Sequence, residues 1–118
     1  EAKAEVDAAN MDGLTSLMCA AERGRTETVV ALLEAKADVA AANKYGWTPL
    51  MWAAEGGHTL TVTALLEAKA EVDAANQDGQ TSLMRAAEHG HTKTVRALLE
   101  AKAEVDAADK DGRTSLLR

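Results

Sequence analysis

The sequence predicts an all-α solenoid in which short helix-turn-helix units stack and are joined by β-hairpin-like loops. The first observation behind this prediction is a 33-residue period, because Asp12-Gly13 recurs as Tyr45-Gly46, Asp78-Gly79 and Asp111-Gly112. The second is the likeness of the units, since residues 1–33 and 67–99 differ at 7 of 33 positions and are identical at the other 26. The third is composition. A chain rich in Ala, Leu and Val with 3% aromatic residues suits closely stacked helices better than a core of large rings.

The first helix of each unit is predicted from the signals at its two ends. Thr15 is a good N-cap, and Ser16 follows as the first helical residue, where the second unit has Pro49. Proline is tolerated there because its missing N–H would have no partner within the helix. The helix should end at a glycine, which adopts the left-handed conformation at little cost and recurs as Gly24, Gly57 and Gly90. The buried face of this helix is expected to carry Leu17, Ala20 and Ala21.

The second helix is predicted to begin near Thr26 and to end around Ala35. Its apolar residues follow the three- and four-residue spacing of a buried stripe, namely Val29, Leu32 and Leu33. The stretch from Val39 to Trp47 then indicates an extended loop, called a finger below, with a tight turn at Tyr45-Gly46. The chain is thus expected to be a single array with units at roughly 10–42, 43–75 and 76–108 and partial units at 1–9 and 109–118.

Five short motifs accompany this period: Thr48-Pro49-Leu50, Ala53-Ala54, Gly57-His58, Leu65-Leu66 and Ala70-Glu71-Val72. Together they resemble the ankyrin repeat, and the resemblance covers the whole chain. It implies a scaffold that binds a protein or peptide on a concave face built from the finger tips and the first helices. It also implies that His58 and His91 make structural hydrogen bonds.

Two positions depart from the ankyrin pattern. The family usually has His where this chain has Met18, Met51 and Met84, so a family hydrogen bond is lost. It usually has Gly where this chain has Lys36, Lys69 and Lys102, and we expect either a left-handed lysine, at a cost of about 1 kcal/mol, or a slightly different helix ending. A designer would choose Gly there, whereas near-identical units are typical of engineered binders. Natural and engineered origins therefore both stay open.

The positions that differ between these near-identical units are the candidate binding site. Repeating residues are needed for stacking, because each unit buries its apolar face only against the next, and the differing residues are free of that duty. Most of them fall on the fingers and the first helices, whereas a second set on the second helices is interpreted as solvated surface. We predict a partner-binding site made of Met11, Asp12, Leu14, Cys19, Arg23, Lys44, Tyr45, Trp47, Trp52, Gln77, Asp78, Gln80, Arg85, His89, Lys110, Asp111 and Arg113.

The three aromatic residues of the chain, Tyr45, Trp47 and Trp52, all fall in the middle unit at these differing positions. Trp and Tyr are prominent among interface hot spots, so we predict that these rings anchor the partner while Arg85 and His89 form a polar rim about 10 Å away. In the alternative interpretation, Trp47 covers an apolar gap at the finger and Trp52 packs between helices.

No catalytic, cofactor or metal site is predicted. Residues 109–112 are similar to a calcium loop, but the required acids before and after are replaced by Ala107 and Arg118. Cys19 has no His in its own unit to act as a base, and no glycine-rich phosphate loop is present. His89 and His91 lack an evident third ligand. We expect a protein that is not an enzyme and needs no cofactor.

The charge and the termini give weaker expectations about partners and location. Thirteen Lys and Arg against nineteen Asp and Glu give a net charge of −6, which disfavours nucleic acid and anionic membranes as partners. A lone cysteine, Cys19, permits no internal disulfide and favours an intracellular location, cytoplasmic or nuclear. The sequence has no apolar run long enough to span a membrane. Its start lacks a signal peptide and a Met, so we expect a processed or excised segment.

A structural or self-assembling role is the alternative function. Neither end of the array shows a polar capping repeat, and such caps keep solenoids soluble. Apolar ends that stack head to tail would form a heterologous contact, which generates open arrays.

Overall fold

The computed structural model describes residues 6–103 and 109–114. Within this part the chain forms six α-helices: α1 Ser16–Glu22, α2 Thr26–Glu34, α3 Pro49–Glu55, α4 Thr59–Glu67, α5 Ser82–Glu88 and α6 Thr92–Glu100. Each pair begins 33 residues after the one before it. The predicted helix starts at Ser16 and Thr26, and the all-α fold class, are confirmed.

The helices form two layers. The short helices α1, α3 and α5 pack side by side in one layer, α2, α4 and α6 do so in the other, and the two helices of each pair also contact each other. The core between the layers is lined by Leu17, Leu50 and Leu83 from the first layer and by Val29, Val62 and Leu98 from the second. Fully buried alanines such as Ala21 and Ala54 lie between neighbouring helices and allow their close approach.

Met18, Met51 and Met84 occupy the positions where ankyrin repeats usually carry His, and all three are fully buried. Burying a polar group without a partner costs free energy, whereas a thioether side chain fills an irregular apolar space. The lost family hydrogen bond is therefore replaced by apolar packing, and the helix keeps its N-cap: the Thr48 hydroxyl accepts from the Met51 backbone N–H at 3.4 Å.

The helix ends explain the lysines at the glycine positions. Lys36 has φ 72°, and Lys69 and Lys102 adopt nearly the same left-handed conformation. The backbone N–H of Lys36 donates to Leu33, and that of Ala37 donates to Leu32, the pair of bonds that defines a Schellman ending. The left-handed alternative of the sequence prediction is thus confirmed, and the regular helix ending comes with backbone strain.

His58 and His91 tie each unit to the preceding one, as the family resemblance implied. The His58 ring donates from Nε2 to the backbone carbonyl of Glu22 at 3.0 Å, and His91 donates to that of Glu55 at 2.9 Å. The His58 ring lies directly over Gly24, where an added Cβ would come within 2.3 Å of Nδ1. Gly24 therefore serves both the helix ending and the contact between units.

Candidate functional site

An Asn at its base fixes the shape of the second finger. The Asn43 side-chain carbonyl accepts from the backbone N–H groups of Tyr45 and Trp47, both at 2.9 Å. The backbone carbonyl of Asn43 also accepts from Gly46, which has φ 86°. The equivalent residue does the same in the other three finger tips, whose bases are Asn10, Asn76 and Asp109. The tips (residues 10–14, 43–47, 76–80 and 109–113) therefore share one backbone shape and differ in their side chains.

Neighbouring finger tips are joined by backbone hydrogen bonds. Lys44 donates its N–H to the carbonyl of Asp12 at 3.0 Å, Gln77 donates to Tyr45 at 3.0 Å, and Lys110 donates to Asp78 at 2.9 Å. Hairpin pairing within the described fingers is limited to single antiparallel bridges, Ala9 with Thr15 and Ala75 with Thr81. The predicted hairpin-like fingers thus form a row of tips at a fixed spacing.

Ion pairs run along this row. Lys44 Nζ lies 3.1 Å from Asp12 and Lys110 Nζ lies 2.9 Å from Asp78. The hydrogen bond to Asp12 raises the pKa of Lys44, with smaller contributions from the charge of Asp12 and from Tyr45, and the hydrogen bond to Asp78 raises the pKa of Lys110. All four side chains are largely exposed, so these pairs set the charge pattern of the row and contribute little to its stability.

The three aromatic rings lie together. The Trp47 and Trp52 ring centres are 4.5 Å apart with the planes tilted by 39°, and Tyr45 at the tip is 55% exposed. Trp47 and Trp52 are half-buried, and Trp52 also packs against the core. Its Nε1 is buried with no hydrogen-bond partner among the described residues. The structural interpretation of Trp52 is therefore partly right, since one side of its ring covers the core.

Arg85 reaches across from the next unit to the second finger. Its guanidinium carbon lies 5.4 Å from the centre of the Trp47 ring, and the group forms ion pairs with Glu55 at 3.0 Å and with Glu88 at 2.6 Å. The Arg85 side chain is only 13% exposed. His89, which is exposed, accepts from Arg85 at 3.3 Å. Arg85 is thus in direct contact with the rings, closer than the separation of about 10 Å expected from helix spacing.

The three aromatic rings line one pocket of about 360 Å³, called the aromatic pocket below. Its lining residues are Asn43, Tyr45, Trp47, Trp52, Glu55, Gln77 and Asp78. Five of the lining residues belong to the predicted site, and Asn43 and Glu55 do not. Asn43 and Glu55 were not predicted because equivalents of each recur in the other units, as Asn10 and Glu22 for example, and repeating residues are expected to serve stacking. Their positions could have identified them, because Asn43 stands two residues before Tyr45 and Glu55 stands three residues after Trp52.

The other predicted residues lie outside the aromatic pocket. Leu14, Cys19 and Arg23 line a second pocket of about 390 Å³ on the first unit. Met11 is 99% exposed on the first finger tip, and Asp111 and Arg113 are exposed on the fourth. Gln80 is half-buried and accepts from the Asn76 side chain. The predicted set therefore follows the row of fingers, and only its middle forms a concave aromatic site.

Between residues 6 and 103 and between residues 109 and 114, no group of three or more His, Cys, Asp or Glu side chains is placed to hold a metal ion. In that part of the chain, no helix combines the length and the apolar character needed to cross a membrane.

Comparison with known proteins agrees with this architecture. A family model described as ankyrin repeats in three copies matches residues 2–76 and 61–118. No curated protein matches the chain. Ankyrin repeats are generally modules for protein–protein interaction and are typically not enzymes. The match spans nearly the entire sequence, and the chain therefore belongs to the ankyrin-repeat family.

Proposed function

We propose that this chain binds a partner protein or peptide on the face formed by its finger tips and the helices α1, α3 and α5, with the aromatic pocket as the anchor. The observation that carries the proposal is the convergence of Tyr45, Trp47 and Trp52 on one pocket. The equivalent residues of the first unit are Asp12, Leu14 and Cys19. Large rings in well-packed pockets supply much of the energy of protein interfaces.

The chemistry of Trp52 supports binding over packing as the reason for its presence. The first and third units have Cys19 and Arg85 at this position and form the same helix pair. Trp52 adds an indole N–H that is buried and has no partner in the described structure. An unsatisfied buried donor costs about 1–3 kcal/mol, so a residue chosen for stability alone would avoid it.

The rigidity of the site also supports the proposal. Asn43 holds the backbone of the two finger aromatics, and Gln77 joins this finger to the next. A side chain that is already ordered loses little conformational entropy on association, so more of the contact energy appears as affinity.

Selection from a random peptide library displayed on phage tests the proposal without knowledge of the partner. Peptides selected on the wild-type chain are measured against a variant carrying Tyr45→Asp, Trp47→Leu and Trp52→Cys, the residues of the first unit. We expect most selected peptides to lose binding to this variant. Circular dichroism checks that the variant is folded.

The matched control is Leu60→Lys. Leu60 lies on α4 and is 75% exposed, and the third unit has Lys93 at the equivalent position. This change should leave the selected peptides bound. Peptides that bind the wild type and the aromatic variant equally would remove the aromatic pocket from the proposal.

End-to-end stacking is the second candidate, and one observation favours it. Ser16 and Thr28 are exposed on the first unit, whereas their equivalents Pro49 and Thr61, and likewise Ser82 and Thr94, are buried between units. The first unit thus exposes a surface of the kind that stacks elsewhere in the array.

Light scattering over a range of protein concentrations tests this second candidate. Stacking predicts a mass that rises with concentration and is reduced by Thr28→Arg, because the bulky charge would lie in the contact. A constant mass near 12.4 kDa would rule it out.

A further inference from the structure

The aromatic pocket combines ring faces with negative charge. Its lining contains Tyr45, Trp47 and Trp52, and its charged lining residues are Glu55 and Asp78. Ring faces carry the negative part of the aromatic quadrupole, so both components of this lining favour a positive charge. The two carboxylates disfavour an anion at this site.

The chain's own cations already make the contacts that this lining favours. The Arg85 guanidinium lies 5.4 Å from the Trp47 ring centre while paired with Glu55, and Lys44 Nζ lies 5.2 Å from the Tyr45 ring centre. Both distances are within about 6 Å, the range of an effective cation–π interaction. The rings of this pocket therefore accept cations in the geometry that the fold imposes.

From these observations we infer that the aromatic pocket takes a positively charged side chain of the partner, an arginine or a lysine, between its rings and Asp78. This inference rests on the proposed function and adds to it the chemical class of the partner side chain that occupies the aromatic pocket.

Asp78 has the capacity for such a second cation. Its side chain is 57% exposed, and among the described residues it forms an ion pair with Lys110 at 2.9 Å. A carboxylate offers about four lone-pair positions on two oxygens, so one ammonium group does not saturate it. Glu55 already forms an ion pair with the Arg85 guanidinium. Asp78 is therefore the carboxylate to substitute when testing for a positive charge on the partner.

The test uses the library peptides whose binding requires Trp47 and Trp52. Each is synthesised with its basic residue replaced by a neutral analogue of similar shape, citrulline for arginine and acetyl-lysine for lysine. We expect affinity to fall about five- to thirtyfold, the scale of a cation–π contact with a partly screened ion pair. The difference between the charged and neutral peptides should shrink as salt is added.

A pair of protein variants locates the charge. Asp78→Asn removes the pocket carboxylate, and Asp12→Asn removes its counterpart on the first finger, which also pairs with a lysine of the next tip but does not line the pocket. We expect Asp78→Asn to weaken the charged peptides more than their neutral analogues, and Asp12→Asn to weaken both by similar, small factors.

The outcomes separate this inference from the proposed function. Peptides that need the two Trp rings but contain no basic residue would overturn the inference and leave the binding role intact. Equal binding of charged and neutral peptides, or equal effects of Asp78→Asn and Asp12→Asn, would do the same. A library that yields no Trp-dependent peptides would remove the aromatic pocket from the proposed function and would overturn this inference with it.

Discussion

The guanidinium carbon of Arg85 lies 5.4 Å from the centre of the Trp47 ring, which brings together differing positions of two neighbouring units. The two residues are 38 positions apart in the sequence, and each stands where the other two complete units have a different residue. Contact between them links the side chains of the second and third units beside the aromatic pocket.

Coupling between Arg85 and Trp47 should appear in binding energies. In a double-mutant cycle with Arg85→Ala and Trp47→Leu, measured on the Trp-dependent peptides by calorimetry, we expect a non-additivity of about 0.5–2 kcal/mol. Arg113→Ala, on the fourth finger, should be additive with Trp47→Leu. Additivity in both cycles would show that the contact has no role in binding.

The tryptophans should matter less for stability than the core does. Trp47→Leu with Trp52→Cys should lower the free energy of unfolding by less than about 2 kcal/mol, because lost packing is partly offset by removing the unpaired indole N–H. Leu50→Ala, at a fully buried site, should cost about 2–5 kcal/mol. Urea denaturation compares them. A larger loss for the double variant than for Leu50→Ala would place the rings in the core.

The glycines at the helix ends allow the contact between units to be separated from backbone strain. Gly24 and Gly90 have φ 68° and 72°. Replacing either one by alanine should therefore introduce about the same backbone strain. A Cβ on Gly24 would collide with the His58 ring, whereas one on Gly90 meets no described atom within 4 Å. Gly24→Ala should therefore lower the melting temperature more than Gly90→Ala does. In a His58→Ala background, Gly24→Ala and Gly90→Ala should lower the melting temperature by similar amounts, and a difference that persists there would refute the steric explanation.

The left-handed lysines offer a way to stabilise the chain. Lys36→Gly and Lys69→Gly should each raise the free energy of unfolding by about 1 kcal/mol, since glycine adopts φ near 70° without steric cost. Arg96→Gly, at an exposed site inside α6, should lower it by about 1 kcal/mol. The test is that the lysine and arginine substitutions change the free energy of unfolding in opposite directions. Chemical denaturation measures both changes.

The ion pairs along the finger tips should be visible in lysine titrations. The hydrogen bond from Lys44 to Asp12 raises the lysine pKa above 10.5, so the stabilisation from this pair is complete at neutral pH and is lost as the pH rises through the folded pKa. Side-chain NMR should show this raised pKa in the wild type and a return toward 10.5 in Asp12→Asn. Lys110 should keep its raised pKa in that variant, because its partner is Asp78.

The parts of the fold that depend on local signals could be predicted from the sequence. Thr15 and Gly24 delimit α1 through hydrogen bonds made within a few residues, and the 33-residue period then places the other helices. The site was predicted less completely because it depends on contacts between units. Position in the repeat does not show that Arg85 reaches Trp47, nor that Glu55, whose equivalents are Glu22 and Glu88, lines the aromatic pocket.

One hydrogen bond at each junction between neighbouring tips involves main-chain atoms alone, since Lys44 donates to Asp12, Gln77 to Tyr45 and Lys110 to Asp78 through amide and carbonyl groups. Every amino acid except proline supplies that amide. A substitution other than proline at residue 44, 77 or 110 therefore keeps this main-chain bond, so the side chains that the tips present can change while the spacing between the tips is maintained.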